Sequence, residues 1–138
     1  MNSQAFLLIA ANLLLLLHFI YVMIVVVGQL VIVIGGIFRW TIVKKIVPRV
    51  IHLVMILIVA FLDIVNLPCP LTIWENQLRH KAGQITDWEL TFVERLLRNI
   101  VFMRLPESFF EYIYIGFAIL VLLTFIIIPP HLAKKRQP

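Results

Sequence analysis

Four residues that could form one polar site at the outer face of the membrane have side chains with the chemistry of catalytic groups: His18, Asp63, Cys69 and Glu75. The histidine and the two carboxylic acids could transfer protons, and the cysteine could act as a nucleophile if a nearby base or a helix N-terminus ionised its thiol. The spacing of these residues matches that of no known hydrolase. We therefore keep the four as candidates for a polar site and assign no catalytic residue.

A structural role is the favoured interpretation of the same residues, because polar side chains between membrane helices need hydrogen-bond partners whether or not they react. Counting along ideal helices from their basic ends places His18 roughly 31 Å, Asp63 roughly 21 Å and Asn66 roughly 25 Å along the membrane normal. His18 could therefore meet Asp63, Asn66 or the turn at Cys69 near the outer face. Hydrogen bonds within this cluster would then fix how the first two helices pack.

The sequence predicts no cofactor and no metal site. His52 lies only ~5 Å from the basic end of its helix, so we expect it near the interface and too far from His18 to hold a haem with it. The single cysteine, Cys69, excludes an intrachain disulfide and any multi-cysteine metal or iron–sulfur site. Gly28 and Gly35-Gly36 follow no strand, so close helix packing is a better interpretation than a phosphate-binding loop.

The composition indicates a membrane protein. Hydrophobic residues make up 62% of the chain and charged residues 14%, and the mean hydropathy is +1.04, whereas soluble domains are about half apolar and a quarter charged. The net charge of +5 does not indicate nucleic-acid binding, because the basic residues flank apolar segments and form no basic surface interleaved with aromatic residues. No linker or repeat divides the chain, so we expect one membrane domain over residues 1–138.

Three apolar segments are predicted to cross the membrane as helices: Phe6–Phe38, Ile51–Leu67 and Phe109–Ile128. The first would be about 50 Å long, against a hydrocarbon core of roughly 30 Å. Tilt, a surface-lying start near Asn2–Ala10 or a bend at Gly35-Gly36 could absorb the excess. A cleaved signal peptide is disfavoured, because no Lys or Arg precedes the apolar run.

Lys and Arg residues set the expected orientation. Four lie between the first two spans without an acid, and three lie in the tail: Arg39, Lys44, Lys45, Arg49, Lys134, Lys135 and Arg136. With three spans these two segments share one side of the membrane, which the positive-inside rule makes cytoplasmic. We therefore predict a multi-pass protein of the cell membrane with its N-terminus outside and its C-terminus in the cytoplasm.

The connection over residues 68–108 is predicted to be extracytoplasmic and to hold two short helices. Thr72 and Glu75 have the spacing of a capping box, in which each side chain satisfies a backbone N–H at a helix start. Gly83 is a natural end for this first helix. Further capping boxes are expected at Thr86–Glu89 and at Ser108–Glu111, the latter opening the third span.

The second short helix is predicted to be amphipathic. Its apolar face would contain Leu90, Val93, Leu97, Ile100 and Val101. Its opposite face would contain Thr91, Glu94, Arg95, Arg98 and Asn99. This division suits an interfacial helix that lies along the outer membrane surface or covers the outer end of the bundle.

One segment resembles a family signature, C-P-L-T-x-x-E-N-x-L-R-x-x-A-G. The matching residues are Cys69, Pro70, Leu71, Thr72, Glu75, Asn76, Leu78, Arg79, Ala82 and Gly83. This signature is similar to that of the small bacterial membrane proteins catalogued as domain of unknown function 2784. The resemblance extends from Leu17-His18-Phe19 to Pro106, although members often carry Glu-His where this chain has Glu94-Arg95. It implies a multi-pass inner-membrane protein and no established activity.

The function that the sequence favours is a non-catalytic accessory, scaffold or assembly partner of a membrane complex. Its expected partners are the lipid bilayer and other membrane proteins or further copies of the chain, and not nucleic acid. The alternative is a small membrane enzyme or lipid-handling protein whose polar site at the outer face uses His18, Asp63, Cys69 and Glu75. A transporter or channel subunit is a weaker third interpretation, because three spans with a single acid offer little of a pathway.

Overall fold

The computed structural model describes residues 2–86, 90, 92–102 and 105–131. This part of the chain is all-α, and its only β-type pairing is an isolated bridge between Lys45 and His131. A short 3-10 helix at Ile42–Lys44 follows the first α-helix. The five α-helices are α1 Ser3–Ile37, α2 Ile46–Ile64, α3 Pro70–Lys81, α4 Phe92–Val101 and α5 Glu107–Ile127.

The predicted three-span, all-α architecture is confirmed. Three helices are long and apolar enough to cross a membrane, namely Ser3–Ile37, Ile46–Ile64 and Ser108–Ile127. The second begins five residues earlier than expected, because Pro48 lies in the first turn of α2, where its missing N–H has no intrahelical partner to lose. Arg49 is consequently a residue of the helix and not of the preceding loop.

The extra length of α1 at its N-terminal end packs against another helix. The helix runs unbroken from Ser3 through Gly35 and Gly36 to Ile37, so a separate surface segment at its start, one of the three arrangements considered for its excess length, is not formed. The N-terminal part of α1 instead packs against α3. Ala11 is fully buried there, and its small side chain lets the two helices approach closely.

The three long helices enclose a small core in which Val25 of α1 and Ile56 of α2 pack with residues of α5. We call the end of the bundle with α3 and α4 the α3 end, and the opposite end the Trp40 end. The core cluster contains Val25, Ile56, Ala60, Ala118 and Val121. The predicted packing role of Gly28 is confirmed, because a Cβ there would lie 2.9 Å from the Cδ2 of His52.

The capping box predicted at Thr72 and Glu75 is wrong. α3 begins at Pro70, with Cys69 as its N-cap residue and without a side-chain capping bond. Proline is favoured at the first helical position because its φ angle is already helical and it has no N–H to satisfy. Thr72 and Glu75 therefore lie inside the helix, where both side chains are buried.

The end of α3 is as predicted. The helix stops at Lys81, and Gly83 has a φ of +81°. Its N–H donates to the carbonyl oxygen of His80 at 2.9 Å. Glycine is favoured here because it adopts this left-handed conformation without the strain of a side chain.

The other two predicted capping boxes have different outcomes. α5 begins at Glu107, its N-cap residue is Pro106, and no side chain caps it, so the box at Ser108–Glu111 is wrong. In the box at Thr86–Glu89, residues 87–89 lie outside the described part of the chain.

The helix α4 is attached to the α3 end of the bundle through side-chain contacts with α1 and α3. Phe92 is buried, and Arg95 reaches the side chains of α3. Two side chains of the predicted polar face point towards the protein: Glu94 is buried, and Arg95 bonds to Glu75. Ile100 of the predicted apolar face is 64% exposed. The helix is placed by its polar contacts with α3 as well as by its apolar residues.

Candidate functional site

A cavity of about 210 Å³ lies near the α3 end, between α1, α2 and α5. Three of the four candidate residues, His18, Asp63 and Cys69, line it. The fourth, Glu75, does not. The cavity therefore gathers an imidazole, a carboxyl group and a thiol around one space, although the hydrogen bond of His18 goes to Thr72 and not to Asp63 or the turn at Cys69.

His18 is held on two sides. Its Nδ1 atom lies within hydrogen-bond distance, 3.3 Å, of the Thr72 hydroxyl, and its ring stacks on Phe92 with 4.3 Å between centroids. The early start of α3 at Pro70 places Thr72 opposite α1, and α4 supplies Phe92. Neither partner was expected, because contacts between helices this far apart in sequence leave no local pattern.

The turn between α2 and α3 supplies the other two polar groups. Asn66, expected within the second span, lies after the end of α2 with a φ of +53°, a conformation that asparagine tolerates. Asp63 precedes this turn, and its Oδ2 atom is buried without a hydrogen-bond partner among the described residues. Cys69, a free thiol that is partly buried, ends the turn.

The deeper walls of the cavity are apolar. They are formed by residues such as Val22, Val25, Ile56, Val59 and Phe117. The Tyr21 hydroxyl is not free at this level, since it donates to the carbonyl oxygen of Met55 at 2.6 Å. The cavity thus has an apolar interior and a polar end, like many pockets that bind a ligand by apolar contact and orient it through a few polar groups.

Glu75 belongs to a separate cluster of ion pairs. Its Oε1 atom accepts a hydrogen bond from Nε of Arg79 at 2.8 Å, and its Oε2 atom accepts one from Nη2 of Arg95 at 2.9 Å. Arg79 also donates to Asn12 of α1 at 2.9 Å. Both oxygens of the carboxylate are engaged, so Glu75 is placed to tie α3 to α4 and not to accept a proton in the cavity.

Only part of this second cluster could be predicted from the sequence. The four-residue spacing of Glu75 and Arg79 is typical of an ion pair on one helix face. Arg95 and Asn12 were missed, because their contacts with α3 depend on tertiary packing. The cluster borders a groove of about 420 Å³, which lies across Phe92 from the cavity.

A third polar group lies towards the Trp40 end, and it corrects the expected placement of His52 and Arg49. His52 is buried, with Nε2 2.8 Å from the carbonyl oxygen of Val25. Arg49 is buried as well, and its Nη2 atom donates to the carbonyl oxygens of Thr124 and Ile128, both at 2.8 Å. The Thr124 carbonyl also accepts the N–H of Ile128 at 3.0 Å, so Arg49 adds a second donor there and binds the Ile128 carbonyl just beyond the end of α5.

The described residues include no group of three His, Cys, Asp or Glu side chains placed to hold a metal ion. The two buried histidines are in different places. His18 lines the cavity and contacts α3 and α4, whereas His52 contacts α1 deeper in the bundle. What the cavity offers is hydrogen bonding at one end and apolar contact along its walls. That combination suits the binding of an amphiphilic molecule.

Comparison with known proteins gives a family but no activity. No curated protein and no solved structure matches this chain. A family model described as protein of unknown function, DUF2784, matches residues 8–130. The match includes most of α1, all of α2 and α5 and all three polar groups, and the chain therefore belongs to the DUF2784 family.

Proposed function

We propose that this protein is a non-catalytic membrane protein that binds an amphiphile, with the polar end of the ligand at His18 and its hydrocarbon tail in the cavity. The observation that carries the proposal is the cavity itself, whose volume is about 210 Å³ and whose polar residues lie at one end. A cavity of about 150 Å³ accommodates a benzene molecule, so this space has room for part of one hydrocarbon chain.

The arrangement of the polar groups supports binding over catalysis. His18 is engaged by Thr72, and both carboxylate oxygens of Glu75 are paired with arginines. A nucleophile needs a base within hydrogen-bond reach, and the described contacts pair Cys69 with no such base. Asp63 also lines the cavity, so its carboxyl group offers a second polar contact, beside His18, for a hydroxyl or amine of the ligand.

The test is the content of amphiphile that purifies with the protein. Val22 lines the cavity, whereas Val27 lies on α1 with 43% of its surface exposed and provides a matched control. We expect wild type and Val27→Phe to retain a near-stoichiometric amphiphile in mild detergent, measured by mass spectrometry of an organic extract. Val22→Phe should reduce that content roughly tenfold or more, because the added ring fills the space of the tail.

An accessory role in a membrane complex is the second candidate. The observation that favours it is the apolar surface on the first turns of α1, where Phe6, Ile9 and Leu13 are each at least half exposed. A membrane protein recovered in fixed ratio with the chain, together with no retained amphiphile, would favour this role over ligand binding.

A further inference from the structure

The groove on the other side of Phe92 from the cavity is lined by more positive than negative charge. It lies between α1, α3 and α4, and Arg79 and Arg95 lie along one side of it. Both arginines pair with the same acid, Glu75. Two guanidinium groups and one carboxylate leave one positive charge in excess.

The two arginines are open to the groove and have donors to spare. Their side chains are 19% and 23% exposed, whereas that of Glu75 is 2% exposed. Arginine has five N–H donors, and Arg95 directs two of its groups to Glu75 and, at 3.5 Å, to Asn76. Further donors of a guanidinium held in this way are suited to phosphate oxygens.

The opposite side of the groove is apolar. It includes Leu16 and Phe19 of α1, which are 52% and 41% exposed. Both residues lie on the part of α1 that runs from the arginines towards the middle of the membrane. An anion that has a hydrocarbon chain attached would contact both sides of the groove, whereas a free anion would contact only one.

The groove also lies at the level of lipid headgroups. α2 has 19 residues, or about 28 Å of helix, which matches a hydrocarbon core of roughly 30 Å. Arg79 contacts α1 at Asn12, which precedes His18 by about 9 Å of helix. The arginines therefore lie beyond the end of α2, where the phosphate groups of one leaflet would be.

We propose that this groove binds an anionic phospholipid, with its phosphate at Arg79 and Arg95 and one acyl chain along Leu16 and Phe19. The lipid is distinct from the ligand of the cavity, because Phe92 lies between the two spaces and lines both. Glu75 also lines the groove, but its side chain is 2% exposed and both its oxygens are paired with the arginines, so it positions them and does not contact the lipid phosphate. The proposal goes beyond the cavity's function and stands on separate residues.

The test uses full-length protein in nanodiscs that contain equal amounts of phosphatidylglycerol and phosphatidylcholine. Native mass spectrometry measures which lipid stays bound after release from the disc. We expect wild type to retain phosphatidylglycerol roughly tenfold over phosphatidylcholine, and Arg95→Gln to lose that preference. Arg98→Gln, which changes the same kind of charge on α4 but does not line the groove, should keep it.

A second pair of variants leaves the ion pairs intact. Leu16→Glu places a negative charge in the groove, and Leu17→Glu places the same charge on a neighbouring exposed position outside it. Only Leu16→Glu should remove the preference for the anionic lipid. Equal retention of both lipids by wild type would overturn the proposal, as would equal effects of the two glutamates.

Two further measurements distinguish a lipid site in the groove from a free-phosphate site and from the cavity. Millimolar sodium phosphate should leave the bound phosphatidylglycerol in place, and its full displacement would assign the groove to free phosphate and overturn the lipid proposal. Val22→Phe should keep the preference for phosphatidylglycerol, because it alters only the cavity. The lipid proposal for the groove and the amphiphile proposal for the cavity are therefore tested by different variants, and either can fail without the other.

Discussion

The Nη2 atom of Arg95 lies 2.9 Å from the Oε2 atom of Glu75 and joins α4 to α3. Glu75 is nearly inaccessible, and its other oxygen is paired with Arg79. One buried carboxylate thus holds two guanidinium groups from different helices. This contact holds α4 against α3. Because Phe92 of α4 lines both the cavity and the groove, the shape of both spaces depends on it.

Removal of the Glu75 charge should therefore destabilise the protein. We expect Glu75→Gln to cost about 2 kcal/mol in the free energy of unfolding, because it leaves two arginines without their anion and weakens charge-assisted hydrogen bonds. Denaturant titration in detergent measures this cost. Glu111→Gln, at an exposed position of α5, should change stability by less than about 0.5 kcal/mol. Similar values for the two variants would show that the ion pairs contribute little.

Gly28 should be intolerant of a side chain. A Cβ at this position would lie 2.9 Å from the His52 ring, so Gly28→Ala must displace a histidine that is bonded to Val25. We expect a loss of about 1–3 kcal/mol. The control is Gly116→Ala on α5, where nothing lies within 4 Å and alanine should stabilise the helix by up to about 1 kcal/mol. Unfolding titrations that give both changes the same sign would contradict the packing.

Arg49 should hold the end of α5 in place. Arg49→Gln removes the bonds to the carbonyl oxygens of Thr124 and Ile128 and a cation–π contact with Phe125 at 5.4 Å. Hydrogen–deuterium exchange over residues 121–131 should become faster, while exchange in α3 stays unchanged. Arg39→Gln, at an exposed position, is the matched control. Unchanged exchange in Arg49→Gln would show that α5 ends in the same way without these bonds.

His18 should be coupled more strongly to Thr72 than to Asp63. The sequence suggested a His18–Asp63 contact, whereas the structure gives His18 a hydrogen bond with Thr72 and places Asp63 elsewhere on the cavity wall. Double-mutant cycles with His18→Leu, Thr72→Val and Asp63→Asn should give a coupling of about 0.5–1.5 kcal/mol for the first pair and a smaller one for the second. The reverse order would place the functional contact of His18 at Asp63.

Features set by neighbouring residues could be predicted from the sequence, whereas contacts between distant helices could not. Apolar length predicts the three spans, and Gly83 predicts the end of α3, because each depends on local residues. The start of α3 differs from the prediction because Pro70, which favours the first position of a helix, outweighs the Thr72–Glu75 spacing. The contacts of Arg49 and Arg95 link helices distant in sequence, and no local pattern marks them.

The topology stays a prediction of the positive-inside rule. A reporter fused after Pro138 should be cytoplasmic and one inserted at Gly83 extracytoplasmic, because seven of the twelve Lys and Arg residues flank the proposed cytoplasmic ends. Activity of a compartment-specific reporter measures each position. Both reporters on one side of the membrane would contradict the three-span arrangement.

Cys69 provides the most direct measurement of whether the cavity binds an amphiphile. It is the single cysteine of the chain and lines the cavity, so its rate of alkylation by a maleimide reports on that space alone. In delipidated protein at constant detergent, adding a long-chain amphiphile should slow the alkylation of wild type and leave the Val22→Phe rate unchanged. An unchanged rate in wild type, or equal slowing in both proteins, would contradict amphiphile binding in the cavity.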